Sequence, residues 1–262
     1  MSAPRDPNRA LPPRLGDALA REHAAGRIDR RDFMRLASLL AGGALLSGCD
    51  ARGPSSVRSL IVSVGRGNER IERWLYRPGS RDHGAPGSRV AGDGFPSYFI
   101  SRTVPMWDAS ARGEWRLTVD GAVRRPLSLT LAELQRMARV RQRVNHYCVE
   151  GWNATAIFSG VPVATLAELA GLTPSAAYVD FRSFDAGYHE SWDLDSALHA
   201  QTLIVVGKED RPLPPAYGAP ARVHSPVKLG YKNTKYLTHV TFMPERNGGY
   251  WSDRGYEWYG GT

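Results

Sequence analysis

"HYCVEGWNATAIFSGVPVATLAELAG", residues 146–171, places a single thiol just after an apolar stretch and follows it with Glu150, Gly151 and Trp152. Residues Val140 to Tyr147 read as a strand, so Cys148 stands where a strand gives way to a turn, at the edge of a cleft. Farther on, Thr165 and Glu168 in "TLAELAG" have the spacing of a capping box, and Gly171 closes the helix they open. Soft thiolate ligands suit transition metals, and nearby positive charge keeps a sulfur deprotonated. On this chemistry alone, a packed and inert cysteine is still favoured over a ligand.

The same mixture of elements extends on both sides. Trp115, Leu117 and Val119 alternate with Arg116, Thr118 and Asp120 before Gly121, which gives a half-buried strand running into a turn. Thr130 with Glu133 opens a helix through a capping box. β-type apolar runs follow at Tyr178–Phe184, Leu203–Val206 and Tyr236–Phe242, separated by the Pro-rich "RPLPPAYGAP". Strands and short helices intermingle without a βαβ rhythm, so the expected class is α+β, a complex mixed α/β domain with function on its loops.

The chain has 262 residues, 42% hydrophobic and 23% charged, enough for one domain or two small ones. Its formal charge is +8. Residues 49–262 hold 26 basic and 21 acidic side chains, a net of +5, scattered rather than gathered into a stripe. That argues against a nucleic-acid partner and suits an anionic cofactor or substrate. No run of eighteen apolar residues occurs, and Leu36 to Leu46 is too short to cross a bilayer.

"RRDFMRLASLLAGGALLSGCD", residues 30–50, pairs adjacent arginines with a weakly apolar, Gly- and Ala-rich run. It resembles a twin-arginine export signal, whose cargo crosses the bacterial inner membrane already folded. The alternative is an ordinary amphipathic N-terminal helix. Leu46-Ser47-Gly48-Cys49 resembles a lipobox, which makes Cys49 the expected site of lipidation; a cysteine packed in a core is the competing reading. The expected organisation is a signal segment over 1–48, a tether and irregular N-terminal arm over 49–94, and an oxidoreductase domain over 95–262. Gly65-Arg66-Gly67 lacks the strand and third glycine of a dinucleotide fingerprint.

Three collinear segments then point to one family. "HYCVEGWNATAIFSGVPVATLAELAG" resembles the core motif of the sulfite oxidase family of molybdopterin enzymes. "PLPPAYGAPARVHSPVKLGYKNTKYLTHVTF", residues 212–242, resembles its second motif, Gly-Ala-Pro-x-Arg followed by Gly-Tyr-Lys-x-x-Lys. "EWRLTVDGAVRRPLSLTLAEL", residues 114–134, resembles the strand and helix that precede the cysteine. The likeness runs from about Phe95 to Met243. It implies a sulfite-oxidase-type fold, Mo-molybdopterin as cofactor, Cys148 as metal ligand, and Arg222, Lys232 and Lys235 as contacts to pterin and phosphate. Asn233 and Thr234 between the lysines, Ser183 in "FRSFD", and Tyr217 complete the implied cofactor set. Tyr188 and Tyr231 are candidate catalytic phenols that could donate to an oxo group or a substrate anion. His146 would share a side of the strand with Cys148 if the strand continues, with a satisfied structural histidine as the favoured reading.

The departures are specific. The methionine sulfoxide reductase branch has asparagine before Gly-Ala-Pro, where this chain has Tyr217. Its Asn-Asn and Tyr-Glu stretch is replaced by "FPSYFIS", residues 95–101, with Arg102 a candidate replacement contact. The expected activity is two-electron oxygen-atom transfer on a sulfite-like or sulfoxide-like substrate, by a monomer held on the periplasmic side of the inner membrane and served by a separate redox protein. A non-catalytic envelope lipoprotein is the alternative. Ser225-Pro226-Val227-Lys228 has the S-x-x-K spacing of serine acylases, but Pro226 and the β-type surroundings do not suit the helix turn that motif needs. No histidine pair has metal spacing, so zinc is not expected.

Overall fold

The computed structural model describes residues 63–64, 67–74, 81–82, 96–138, 140–185 and 187–262. The twin-arginine segment, Cys49 and most of the expected tether lie outside them. Residues Val64–Thr262 form one compact unit.

The helices are α1 (67–74), α2 (Ala109–Arg112), α3 (Leu131–Met137), α4 (Val163–Ala170) and α5 (Leu194–Ala197). Among the described residues ten strands run β1 (Arg116–Gly121), β2 (Leu127–Thr130), β3 (Val140–Tyr147), β4 (Asn153–Pro162), β5 (Tyr178–Ser183), β6 (His189–Asp193), β7 (Leu203–Lys208), β8 (Arg211–Pro212), β9 (Arg222–His224) and β10 (Leu237–Met243). They make two five-stranded sheets. One has the order β2-β1-β10-β5-β6, with β1 and β10 parallel and the other pairs antiparallel. The other has the order β3-β4-β7-β8, and β9 also pairs with β7. This is the mixed α+β architecture expected.

The main core lies where the sheets face each other. Leu117, Val119, Phe181, Trp192, Val240 and Phe242 from the first sheet meet Val161, Ile204, Val206 and Val223 from the second, with Leu134 of α3 and Leu166 of α4 filling between them. A second cluster, with Val144, Ala154, Ala156, Phe158, Leu203 and Val205, covers the other face of the second sheet. β7 is therefore buried along its whole length, which explains its uninterrupted apolar run. Gly160 is required where β4 crosses β7, because a Cβ there would sit 2.1 Å from the Ile204 carbonyl oxygen.

Local signals held in most places. β1 buries alternate residues, and Thr130 and Glu133 form a reciprocal capping box on α3. Gly171 closes α4 in the left-handed conformation. Thr165 is corrected: α4 starts at Val163 with Pro162 as its N-cap and no side-chain cap bond, so Thr165 lies inside the first turn. β4 runs straight into the helix, and the fixed φ of Pro162 makes the transition. The arm expected to be irregular contains α1, which packs on the unit through Glu69 and Arg246.

Candidate active site

β3 delivers Cys148 to a tight turn. The Cys148 N–H donates to the Trp152 carbonyl at 2.9 Å, and the Gly151 N–H donates back to the Cys148 carbonyl at 3.1 Å. Gly151 has φ +82°, which only glycine adopts without strain. The Glu150 carboxylate accepts from Trp152 Nε1 at 3.0 Å and from the Tyr98 hydroxyl at 2.9 Å, tying the turn to the segment 96–101. The thiol is half-buried, and that burial raises its pKa.

Beside it opens a cavity of about 430 Å³ lined by Cys148, Ser183, Arg222, Lys235, Phe99 and an aromatic wall. A larger cavity, about 570 Å³, also reaches Cys148, past Tyr147, Asn153 and Leu229. Arg222 and Lys235 line the smaller one, which makes it the candidate site.

Arg222 is buried on β9. Its guanidinium donates to the carbonyls of Tyr217 at 3.2 Å, Val223 at 3.3 Å and Asn233 at 3.2 Å. No carboxylate pairs with it among the described residues, and burial lowers its pKa to about 10. The Lys235 ammonium donates to the Ala216 carbonyl at 3.2 Å and lies between the rings of Phe99 and Tyr236. Burial first and the Arg222 charge second bring its pKa down to about 7. Asp185 lines the same cavity and offsets part of that shift without pairing with Lys235; its carboxylate accepts from the N–H groups of Ile100 at 2.7 Å and Ser101 at 3.0 Å, and from the Ser101 hydroxyl. Arg222, buried, and Lys235, half-buried, face this cavity with no ion pair among the described residues; Asp185 and Glu150 also line it, but their carboxylates are held by other donors, so an anion placed between the two cations would find charge-assisted donors.

Local backbone geometry aims these groups. Tyr236 has φ +57°, uncommon for an aromatic residue, and this turns the chain directly after Lys235. Gly218, at φ +111°, lets the Gly-Ala-Pro segment pass close by, as a Cβ there would sit 2.8 Å from Lys235 Cβ. The Ala219-Pro220 bond is cis.

The other expected residues divide. Ser183 lines the cavity and accepts from the Asp185 N–H at 2.9 Å, leaving its own proton to donate. Asn233 lines the cavity, but its side chain holds the loop: Oδ1 accepts from the Ser225 N–H at 2.7 Å and Nδ2 donates to the Lys228 and Leu229 carbonyls. Its backbone is engaged as well, the N–H donating to the Gly230 carbonyl at 3.1 Å and the carbonyl accepting from Arg222. Thr234 is buried behind the loop, and the lining passes from Asn233 to Lys235. Tyr217 and His146 both line the cavity. Burial lowers the His146 pKa to about 3, which keeps the ring neutral.

Lys232 is corrected. The 3-10 turn Gly230–Lys232 sends its side chain away from the cavity, and its ammonium pairs with Glu190 at 2.6 Å, with both side chains fully buried. Tyr188 and Tyr231 do line the cavity, but their hydroxyl protons are engaged. Tyr188 donates to the Tyr231 carbonyl, and Tyr231 donates to the Glu257 carbonyl at 2.5 Å. The donor role expected of them would require these bonds to break, and burial pushes both phenols further from ionisation. Arg102 is not among the lining residues, although Ile100 and Phe99 of the same segment are. The S-x-x-K spacing has no catalytic geometry. Ser225 is bonded to Thr202 at 2.8 Å, while Lys228 pairs with Asp193 at 3.1 Å.

Sequence reading placed Tyr188, Tyr217 and Tyr231 at the pocket but missed Tyr250, Trp251 and Tyr256, the rest of the aromatic wall. Tyr188 stacks on Tyr250 at 5.4 Å, and Trp251 meets Tyr256 at 5.0 Å, around the cavity mouth. "GGYWSDRGYEWYGG" was visible as an aromatic run, but nothing local connects it to Cys148. It also missed Asp185 as the latch on residues 100–101, and His224, buried with neither ring nitrogen hydrogen-bonded among the described residues.

The donor set fits molybdopterin: one soft sulfur for the metal, and two cations without an ion pair among the described residues for the phosphate. Residues 102–251 match the family model described as "oxidoreductase molybdopterin binding domain". The chain is 37% identical over 234 residues to a putative protein-methionine-sulfoxide reductase subunit YedZ1 of Azospira oryzae, covering 89% of this chain and 88% of that one. It is 31% identical over 154 residues to the protein-methionine-sulfoxide reductase catalytic subunit MsrP of Xanthomonas campestris pv. campestris, covering 53% of this chain and about half, 48%, of that relative. The sulfane dehydrogenase SoxCD of Paracoccus pantotrophus aligns with TM-score 0.47 at 20% identity, over 50% of this chain and 38% of that one. The chain belongs to the sulfite-oxidase-type family of molybdopterin-binding oxidoreductases.

Proposed function

We propose that this molybdopterin oxidoreductase works in the reductive direction on sulfoxide groups, with methionine sulfoxide as its substrate class. The observation that carries the site is the placement of Cys148 against a cavity that holds the buried Arg222 and the half-buried Lys235, neither in an ion pair among the described residues. The choice of substrate is supported by the names of relatives at 37% and 31% identity. The cofactor would be held by Cys148 at the metal, by Arg222 and Lys235 at the phosphate, and by Ser183 nearby. When bound, it supplies two-electron oxygen-atom transfer. The chain's own contribution is to bind, orient and exclude water. Tyr188, Tyr231, Tyr250, Trp251 and Tyr256 present flat, polarizable faces suited to a thioether or sulfoxide sulfur.

The same reading includes export in folded form by the twin-arginine segment, acylation at Cys49, a periplasmic location, action as a monomer, and electrons from a separate redox protein. Two of the similar proteins carry "subunit" in their names, which supports a separate electron donor. Turnover should be measured with a reduced dye mediator against methionine sulfoxide, and with an oxidised mediator against sulfite, on protein of known molybdenum content. Sulfite oxidation with no sulfoxide reduction would overturn the direction. Protein from a molybdenum-replete host with under about a tenth of an equivalent of metal, and no pterin released on denaturation, would overturn the site itself.

A further inference from the structure

α1 is amphipathic with its polar side turned inward. Glu69, Glu72 and Arg73 share one face at helical spacing and pack on the unit. Glu69 pairs with Arg246, whose guanidinium lies 4.6 Å over the Trp258 ring, and Arg73 lies 5.8 Å over the Tyr259 ring. The opposite face carries Arg70, Ile71 and Trp74. Ile71 is 57% exposed and Trp74 66%, and Val64 just upstream is 59% exposed. A surface helix normally buries its apolar stripe and shows its charges. This one has spent its acids on the protein side and presents aliphatic and indole groups with an arginine outward.

We propose that this outer face of α1 is a bilayer contact that seats the protein on anionic phospholipid headgroups. Three observations select lipid over another occupant. Trp beside Arg is the side-chain combination that settles at a membrane–water interface. The charge is complementary: in residues 64–89 the acids are Glu69, Glu72 and Asp82 against six arginines, and with Glu69, Glu72 and Arg73 on the inward face of α1, Asp82 stands against Arg66, Arg70, Arg77, Arg81 and Arg89. Cys49 precedes Gly67 by 18 residues, a reach of roughly 60 Å at full extension, so a chain anchored there can lay α1 on the same bilayer. This last point rests on the envelope location proposed above.

The contact would also fix the enzyme's orientation. Arg246, which holds α1, is followed within a few residues by Tyr250 and Trp251 of the cavity wall. A seated α1 therefore places the active-site mouth at a set height over the membrane, where a membrane-bound electron donor would meet it.

The test uses the full chain with vesicles of phosphatidylethanolamine and phosphatidylglycerol carrying brominated acyl chains, which quench indoles that enter the interface. The parent should lose more emission than Trp74→Phe, the difference reporting that one indole. Ile71→Asp with Trp74→Asp should lower the vesicle-bound fraction of a Cys49→Ser chain roughly tenfold, more so at low salt. Equal quenching of parent and Trp74→Phe overturns the proposal, whether or not the chain is on the vesicles. So does a dimer by light scattering that dissolves in the double variant without vesicle contact, which would give the face to a second copy. A mature N-terminus without acyl chains, with Trp74 still quenched, sinks the anchor at Cys49 and leaves the α1 contact standing.

Discussion

Replacing Lys235 by Met should make the cofactor-free protein more stable and the enzyme worse. Lys235 titrates near 7 in the folded chain against an ordinary 10.5. At 1.36 kcal/mol per unit that depression corresponds to roughly 5 kcal/mol of unfavourable burial. The ammonium keeps some solvent and one carbonyl contact, so about 2–3 kcal/mol is expected from truncation. Below pH 7 the lysine is protonated in both folded and unfolded chains and the penalty is fully present. Between about 7 and 10.5 the unfolded chain binds the extra proton, so parent stability rises with pH through that window. Lys235→Met lacks this rise. Its advantage in urea unfolding should therefore be largest near pH 6 and fade by about pH 10. Protein for the assay comes from a host that makes no molybdopterin. The same variant, made in a replete host, should carry much less cofactor, because the phosphate loses one of its two cations. A variant that is less stable than the parent at pH 6, with a pH-independent difference, would refute Lys235 as an uncompensated buried charge and the anion site with it.

Cys148→Ser should abolish turnover and remove the protein sulfur from the metal's X-ray absorption signature; retained activity with an unchanged signature contradicts the ligand assignment. Arg222→Met should give mostly apo protein, and Arg222→Lys should recover only part of the loading, since the fork of donors is lost; full metal content in Arg222→Met counts against its phosphate role. Glu190→Gln strands the Lys232 ammonium in the interior, 2.6 Å from the lost charge, and should cost about 3–5 kcal/mol in urea melts. Glu190→Gln with Lys232→Met should recover most of that loss, which a phosphate-binding Lys232 would not do. Tyr188→Phe should keep most of the parent's maximal rate, because its proton is held by the Tyr231 carbonyl; a loss beyond about a hundredfold would restore it as a proton donor.

Motifs whose meaning is local were legible in the sequence. The Thr130–Glu133 capping box, the strand into Cys148 and the Gly171 helix stop all depend on a few neighbours, and each stands where the spacing put it. Thr165 failed because a strand already ran to Pro162 and supplied the helix start. β4 itself was not anticipated: its inward positions include Ala154 and Ala156, too small to give a clear apolar alternation. Lys232 shows the limit most sharply. In Gly-Tyr-Lys-Asn-Thr-Lys the two lysines look equivalent, and only a 3-10 turn with a buried Glu190 from another strand separates them. The aromatic wall and the Asp185 latch bring together residues 37 to 108 positions from Cys148, a relation that no short window of sequence contains.

The site is built from groups that are individually unfavourable in a cofactor-free protein. Arg222 and Lys235 repel each other in a low-dielectric cavity, Tyr236 holds a positive φ, and His224 is buried with both ring nitrogens unbonded among the described residues. The surrounding structure over-determines them. Arg222 is fixed by three carbonyls, the loop below by both ends of the Asn233 amide, and the wall by Glu190, which accepts from the Trp251 N–H at 2.8 Å and the Ser252 hydroxyl at 3.0 Å. An anionic ligand that neutralises the two cations then binds with the repulsion between them as part of its driving force, without the chain having to reorganise. Stability withheld from the empty protein becomes affinity in the loaded one, which is why the same Lys235 substitution is expected to move the two quantities in opposite directions.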